Sequence, residues 1–215
     1  MHGIFITGTD TGVGKTHIAT QLARALTQQG IRVIPRKPVE SGCIRQGNEL
    51  IPADALALKT AANYSGSLQQ VCRYPFEAAI SPARAAQLAG TPLRISDLAN
   101  ACLNDVNETD FLLVEGAGGF YSPLCSDGLN ADLAQALKLP IILVAEDRVG
   151  CINHCLLTLA AAQQRGLAIK AIVLNCKSPA PESMDNAAEL AQYTHCPIFP
   201  LPEKRELLHT CILNF

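Results

Sequence analysis

The sequence predicts a three-layer α/β/α fold with a mostly parallel sheet, formed by one domain that spans residues 1–215. Short apolar runs alternate with longer segments of helical periodicity, which is the pattern of parallel strands joined by crossover helices. Apolar residues make up 48% of the chain and charged residues only 17%, so there is enough apolar side chain to cover both faces of such a sheet. A chain of 215 residues also fits one large domain better than two small ones.

Six short apolar runs are predicted strands, at residues 3–7, 31–39, 110–114, 140–145, 169–175 and 197–201. Helices are predicted at residues 15–29, 54–62, 82–88, 95–107, 129–137, 152–165, 184–194 and 203–213. The stretch 41–109 is less regular, and we expect it to add an edge strand near residues 70–74. Ligands of open parallel sheets bind beyond the carboxyl ends of the strands, so the polar residues that follow each strand are the candidates for function.

The segment TGTDTGVGKT at residues 7–16 lies between the first strand and the first helix, which indicates a P-loop and a fold of the P-loop NTPase type. Backbone N–H groups around Gly12 and Gly14 can point at phosphate oxygens, helped by the helix N-terminus. Lys15 supplies a positive charge for the β- and γ-phosphates of ATP, and the Thr16 hydroxyl can bind Mg²⁺. Gly8 lies one position earlier than the usual first glycine, so a glycine-rich turn without a ligand is the weaker alternative.

Charged residues at the ends of other elements are the next candidates. Lys37 follows the second strand, where it can hold carboxylate or phosphoryl oxygens. Arg36 is the alternative, but neighbouring side chains of a strand point to opposite faces, so only one of the two can reach the site. Glu115 ends the third strand, as expected of a second Mg²⁺ anchor, and the glycines after it allow close approach of a nucleotide. Asp54 opens a helix, and taken alone it is best explained as an N-cap or first-turn carboxylate that suits the helix dipole.

Two polar segments follow the fourth and fifth strands. Gly150 to Asn153 open a helix whose N–H groups can bind an anion such as a substrate carboxylate. Taken alone, Asn153 is better explained as the N-cap of that helix. Asn175 ends the fifth strand, where it can either hydrogen-bond the edge of a base or form a turn.

Charge and cysteine content narrow the class of protein. The net charge of −2 and the lack of a basic run exclude an electrostatic footprint for nucleic acid or a membrane surface. Residues 140–145, a long apolar run, are too few to cross a bilayer, and the start of the chain has no export signal, so we expect a cytoplasmic protein. The nine cysteines form no CxxC pair and no zinc-ligand spacing, as expected of reduced thiols. Small molecules are the ligands that remain.

Five segments together resemble the dethiobiotin synthetase family, in kind and in order: TGTDTxVGKT at 7–16, KPVxSG at 37–42, DALAL at 54–58, VEGAGG at 114–119 and GCINH at 150–154. The resemblance implies an ATP-dependent enzyme that carboxylates 7,8-diaminononanoate with CO₂, phosphorylates the carbamate and closes a cyclic urea in biotin synthesis. It also implies Mg²⁺ as a cofactor and a homodimer with sites between the subunits.

The same resemblance implies a role for each matching residue. Thr11, Lys15 and Lys37 would act in catalysis. Mg²⁺ would be bound by Thr16, Asp54 and Glu115. The substrate would contact Ser41, Gly150, Cys151, Ile152 and Asn153. The nucleotide would contact Gly12, Val13, Gly14, Lys15, Thr16, His17, Asp54, Glu115, Gly116, Ala117, Gly118, Asn175, Cys176, Pro202, Glu203 and Lys204.

The late part of the chain departs from the family pattern. Cys176 follows Asn175 where some members have Asp, and residues 201–204 match the last nucleotide-contacting loop only through Pro202. Two other functions compete for a P-loop of this kind. An amide-forming ligase of the cobyrinic acid synthase type would need a glutamine-hydrolysing domain, for which 215 residues leave no room. A partition-type ATP switch would carry a second lysine early in the loop, where this chain has Asp10, and a basic surface.

Overall fold

The computed structural model describes residues 2–177, 181 and 183–201. Its strands are β1 (His2–Gly8), β2 (Val33–Arg36), β3 (Val39–Ser41), β4 (Ile44–Gln46), β5 (Glu49–Ile51), β6 (Tyr74–Phe76), β7 (Phe111–Gly119), β8 (Pro123–Cys125), β9 (Gly128–Leu129), β10 (Ile141–Glu146), β11 (Ile169–Asn175) and β12 (Ile198–Leu201). Six of them form the central sheet in the order β12-β11-β10-β1-β7-β2. Every neighbouring pair in that sheet is parallel, which places the carboxyl ends of β1, β2, β7, β10 and β11 along one edge.

The described helices are α1 (Lys15–Gln28), α2 (Ala53–Ala61), α3 (Leu68–Val71), α4 (Pro82–Leu88), α5 (Ile95–Leu103), α6 (Asn130–Leu137), α7 (Cys151–Gln164) and α8 (Asn186–Ala191). Alternate residues of the central strands face two helical layers. In β1, Ile4 and Ile6 pack with α1 and α2, whereas Phe5 packs with α5 and α6 on the other side. Both faces of the sheet are therefore covered, which confirms the predicted three-layer α/β/α fold.

The predicted strand at residues 31–39 is wrong as one continuous element. It divides into β2 and β3, and β3 leaves the central sheet to pair with β6. Pro38 lies in the gap and has no N–H for a sheet ladder, while the N–H of Lys37 donates to Val71 O instead of to a neighbouring strand. The other five predicted strands all form, within a few residues at their ends.

The predicted edge strand near residues 70–74 is also wrong. Residues 68–71 form the short helix α3, and the strand follows at β6, outside the central sheet. A capping box explains the difference, because Ser67 Oγ accepts from Gln70 N and Gln70 Oε1 accepts from Ser67 N. The predicted helices at 95–107 and 184–194 end earlier, at Leu103 and Ala191, and the predicted helix at 203–213 lies outside the described residues. Across the described part of the chain, every helix is too short or too polar to traverse a bilayer.

Candidate active site

The loop between β1 and α1 depends on two glycines with left-handed backbone. Gly12 has φ of 76° and Gly14 has φ of 100°, a region that side chains with a Cβ rarely occupy. A Cβ on Gly14 would also lie 2.0 Å from Asn175 Nδ2. Lys15 folds back over this loop, and its Nζ donates to Asp10 O at 3.0 Å. The loop thus presents its backbone and a lysine at the start of α1, as a phosphate site requires.

Four side chains from four separate segments of the chain meet beside this loop. Lys37 Nζ, just after β2, donates to Glu115 Oε1 at 2.5 Å and to Gly116 O at 3.1 Å. It also forms an ion pair with Asp54 Oδ2 of α2 at 3.0 Å. Thr16 Oγ1 of α1 donates to Glu115 Oε1 at 2.8 Å. Residues separated by up to 99 positions in sequence therefore form one charged cluster.

The two lysines of the site differ in their electrostatic surroundings. Burial alone would lower the pKa of Lys37, but Glu115 and Asp54 outweigh it and hold that pKa above its usual range. Burial, aided by the charge of Lys37, lowers the pKa of Lys15 to about 8. Lys37 is thus a paired cation, whereas Lys15 is a cation that gains from an added anion. For Asp54, burial opposes ionisation, yet Lys37 prevails and keeps its pKa below the usual range.

The oxygen donors of the cluster fit Mg²⁺. Glu115 Oε2 is buried and has no hydrogen-bond partner in the part of the chain that the structure describes. Thr16 and Asp54 add a hydroxyl and a carboxylate, and oxygen ligands are those that Mg²⁺ prefers. Among the described residues there is no group of three or more His, Cys, Asp or Glu that could hold a metal on its own. Phosphate oxygens and water would have to complete the coordination, as is usual for Mg²⁺ bound with a nucleotide.

Arg36 points away from this cluster. It is 1% exposed, and its guanidinium donates to Pro35 O at 3.1 Å and to Asn104 O at 2.7 Å. The same guanidinium lies over the Tyr64 ring at 5.7 Å from the centroid. Lys37 and Arg36 therefore face opposite sides at the end of β2, and only Lys37 reaches the cluster.

A cavity of about 240 Å³ opens above the loop and the charged cluster, and we call it the P-loop cavity. Its lining residues are Thr11, Gly12, Gly14, Lys15, Thr16, Lys37, Glu40, Ser41, Asp54, Glu115, Ala117 and Gly118. The structure thus brings together the predicted catalytic and metal-binding residues, with the predicted substrate residue Ser41 beside them. Glu40 is an addition that the sequence reasoning missed.

Asn175 reaches the loop itself. Its Nδ2 donates to Val13 O at 2.9 Å, so one N–H of the amide supports the P-loop. Lys177 lies next to it, with Nζ 3.1 Å from Gly12 O and 3.5 Å from Glu146 Oε2. Lys177 was not predicted, because a lysine just past a strand end has no distinguishing pattern. Cys176 is exposed, and Pro202, Glu203 and Lys204 lie outside the described residues.

The segment Gly150 to Asn153 lies outside the lining of the P-loop cavity. Gly150, with φ of 91°, is the N-cap of α7, and no side chain caps this helix start. Asn153 is therefore a residue of the first turn, not the N-cap. The N–H of Cys151 donates to Arg148 O and that of His154 to Gly150 O. The N–H of Ile152 faces the Cys151 thiol. No backbone acceptor among the described residues takes the N–H of Asn153, which is thus the donor available to an anion.

Comparison with known proteins places these features in a family. A family model described as "AAA domain" matches residues 2–207. The ATP-dependent dethiobiotin synthetase BioD of Vesicomyosocius okutanii subsp. Calyptogena okutanii (strain HA) is 43% identical over 198 residues, which are 92% of this chain and 88% of that protein. The protein of the same name from Cellvibrio japonicus (strain Ueda107) is 42% identical over 194 residues, which are 90% of this chain and 85% of that protein.

A solved structure supports the fold. A chain of the MinC:MinD cell division protein complex of Aquifex aeolicus is similar with a TM-score of 0.57 and 15% identity, over 99% of this chain and 86% of that one. Identity this low speaks for architecture alone. The sequence relatives go further, because they share more than two fifths of their residues along nine tenths of this chain. With that likeness, a P-loop and a second lysine paired to two carboxylates, the chain belongs to the ATP-dependent dethiobiotin synthetase family.

Proposed function

We propose that this protein converts 7,8-diaminononanoate, CO₂ and ATP into dethiobiotin, ADP and phosphate. The observation that carries the proposal is the convergence of Lys15, Lys37, Thr16, Asp54 and Glu115 around one cavity. Such a set holds and neutralises oxyanions without offering a protein nucleophile. A reaction that passes from carbamate to phosphorylated carbamate to cyclic urea needs that kind of assistance and no covalent enzyme intermediate.

The reaction follows from the groups in the cavity. One amine of the substrate adds to CO₂ and loses a proton, which gives a carbamate. An oxygen of the carbamate takes the γ-phosphoryl group of ATP and releases ADP. The second amine then attacks the carbamoyl carbon, which expels phosphate and a proton and closes the ring. Negative charge moves between carbamate and phosphoryl oxygens throughout, and Lys37 and Lys15 are the cations placed to hold them.

Magnesium would be held by Thr16, Asp54 and Glu115, and it would neutralise charge on the β- and γ-phosphates. Glu115 Oε2, buried without a protein partner in the described part of the chain, supports this assignment. Lys37 already bridges Glu115 and Asp54, so the lysine and the carboxylates hold one another in place before the ligands arrive. Such preorganisation lowers the cost of assembling the transition state.

The carboxylate tail of the substrate would be bound by the start of α7 from a second subunit. The available N–H group of Asn153 supports an anion site there, and the position of this segment outside the P-loop cavity lining favours a contribution in trans. Ser41, which lines the cavity, would contact the diamine. The proposal therefore includes a homodimer, in which each chain is one cytoplasmic domain of residues 1–215.

The test is a matrix of phosphate-release assays with mass detection of the product. ATP hydrolysis should require the diamine, bicarbonate and Mg²⁺ together, because the phosphoryl acceptor is the carbamate. Omission of any one should reduce phosphate release to background, and the complete mixture should yield dethiobiotin in equal amount to phosphate. Vigorous hydrolysis without the diamine, and no ring product with it, would instead fit an ATP-driven switch.

A further inference from the structure

Glu40 is a buried carboxylate beside the P-loop cavity to which the proposed reaction gives no task. It lies in β3 between Lys37 and Ser41, is 7% exposed and lines the cavity. A buried carboxylate is costly unless its oxygens are hydrogen-bonded or paired with a charge. The groups that Glu40 binds therefore indicate what it contributes.

Both oxygens of Glu40 accept hydrogen bonds from the first turn of α2. Oε1 accepts from Asp54 N at 3.0 Å, and Oε2 accepts from Ala55 N at 3.0 Å. These N–H groups belong to the helix start, where no helical carbonyl is available to them. The N-cap of α2 is Pro52, whose side chain has no acceptor, and the helix has no side-chain cap of its own. Glu40, 14 positions earlier in the chain, thus caps α2 with a carboxylate that suits the helix dipole.

The residue held in this way is the proposed metal ligand itself. The backbone of Asp54 is bound by Glu40, while its carboxylate forms the ion pair with Lys37 at 3.0 Å. Glu40 thus joins the segment that carries Lys37 to the helix that carries Asp54. We infer that Glu40 is a positioning residue that holds the Asp54 carboxylate in place for Mg²⁺. The inference rests on the proposed function, in which Asp54 binds that metal.

The contact requires two acceptors at one side-chain terminus. Glutamine has nearly the same shape, but its amide offers one acceptor and one donor. The donor would face a backbone N–H, so Glu40→Gln can cap only one of the two amides. Glu40→Ala caps neither. The effect on metal binding should therefore be graded, with the wild type strongest, Glu40→Gln intermediate and Glu40→Ala weakest.

The experiment measures the affinity for ATP by calorimetry without diamine, once in Mg²⁺ and once in EDTA. The ratio of the two dissociation constants reports how strongly the metal tightens nucleotide binding. Loss of a partner that orients a metal ligand costs about 10-fold to 100-fold in metal affinity. In Glu40→Ala the ratio should fall about 10-fold, while the dissociation constant in EDTA stays within about twofold of the wild type.

Asp97→Ala is the matched control. Asp97 Oδ2 accepts from Arg94 N at 2.9 Å and so caps α5, a helix that contributes no residue to the P-loop cavity. This variant should melt at a lower temperature and keep the wild-type ratio. The inference would be overturned if the ratio were unchanged in both Glu40 variants, or if ATP binding weakened equally in Mg²⁺ and in EDTA. A wild-type protein whose ATP affinity ignores Mg²⁺ would overturn the proposed metal site, and this inference with it.

Discussion

The P-loop cavity and the start of α7 are both predicted anion sites, but the chain builds them in different ways. Around the cavity, Lys37, Glu115 and Asp54 are bound to one another through side chains from separate elements. At the start of α7, a Cβ added to Gly150 would meet nothing within 4 Å, and neighbouring Val149 is 80% exposed. The first site is preorganised by contacts within the chain, whereas the second lies on an exposed turn with one N–H, that of Asn153, for which no backbone acceptor is found among the described residues. An anion site at an exposed helix start gains its specificity from the other groups that contact the bound anion.

The largest effect should come from the preorganised site. Lys37→Ala and Lys15→Ala should each lower kcat by about 10²-fold or more, the scale of removing one preorganised oxyanion donor. Arg36→Ala is the control for a buried cation at the same strand end. It should reduce the free energy of unfolding by about 1–3 kcal/mol, because buried hydrogen bonds and packing are lost, with a mild effect on kcat. Steady-state kinetics and denaturant titrations measure these effects. If Arg36→Ala were nearly inactive while Lys37→Ala kept its activity, the roles assigned to the two residues would be reversed.

Gly14→Ala should weaken ATP binding about 10-fold or more, since the added Cβ would lie 2.0 Å from Asn175 Nδ2 and φ is 100°. Gly12→Ala shares the strain of a left-handed backbone, with φ of 76°, but its Cβ would meet nothing within 4 Å. The Gly12 variant should therefore retain more of its affinity. Calorimetry of ATP binding to both variants separates the effect of the close contact with Asn175 from that of backbone strain. Equal losses of affinity would show that backbone strain alone is responsible.

Asn175→Ala should raise KM for ATP with kcat nearly unchanged, because the base that Asn175 would contact is remote from the transferred phosphoryl group. A bidentate contact with adenine is worth about 1–3 kcal/mol, by analogy with amide readout of adenine in DNA. The structure adds a second source of the effect, the hydrogen bond from Asn175 Nδ2 to Val13 O. Values of kcat/KM for ATP, CTP and GTP distinguish the two. If Asn175 contacts the base, the variant should prefer ATP over CTP and GTP less strongly than the wild type does. If Asn175 only supports the loop, kcat/KM should fall equally for all three nucleotides.

The smallest expected effect is a recovery of activity that tests the anion site at the start of α7. Lys37→Ala mixed with Asn153→Pro, which removes the available N–H at the start of α7, should recover about a quarter of wild-type activity when subunits exchange freely. Half of the dimers would be mixed, and each of those would hold one intact site of two. Lys37→Ala mixed with Lys15→Ala is the control, since both changes damage the same cavity and should leave every site impaired. Absence of recovery after proven exchange would mean that each site is built from one chain.

Much of the fold was predictable because the signals are local. Apolar runs of strand length and helical periodicity placed five of the six central strands, and a glycine-rich loop followed by Lys15 and Thr16 identified the phosphate site. The errors in strand placement fall between residues 31 and 76, where chain geometry is set by nonlocal contacts. There β3 pairs with β6 across more than 30 residues, a register that no local pattern carries.

Motifs and their order along the chain were enough to identify the class of the site, because a P-loop, a second lysine and two carboxylates occur in an order of segments that fits one enzyme family. Alternation along β2 even separated Lys37 from Arg36. Tertiary structure alone decided which groups support the others. Glu40 caps the helix of Asp54, and Asn175 supports Val13 from 162 positions away. Hydrogen bonds depend on distances of about 3 Å between atoms, and only the packed chain brings such distant residues that close.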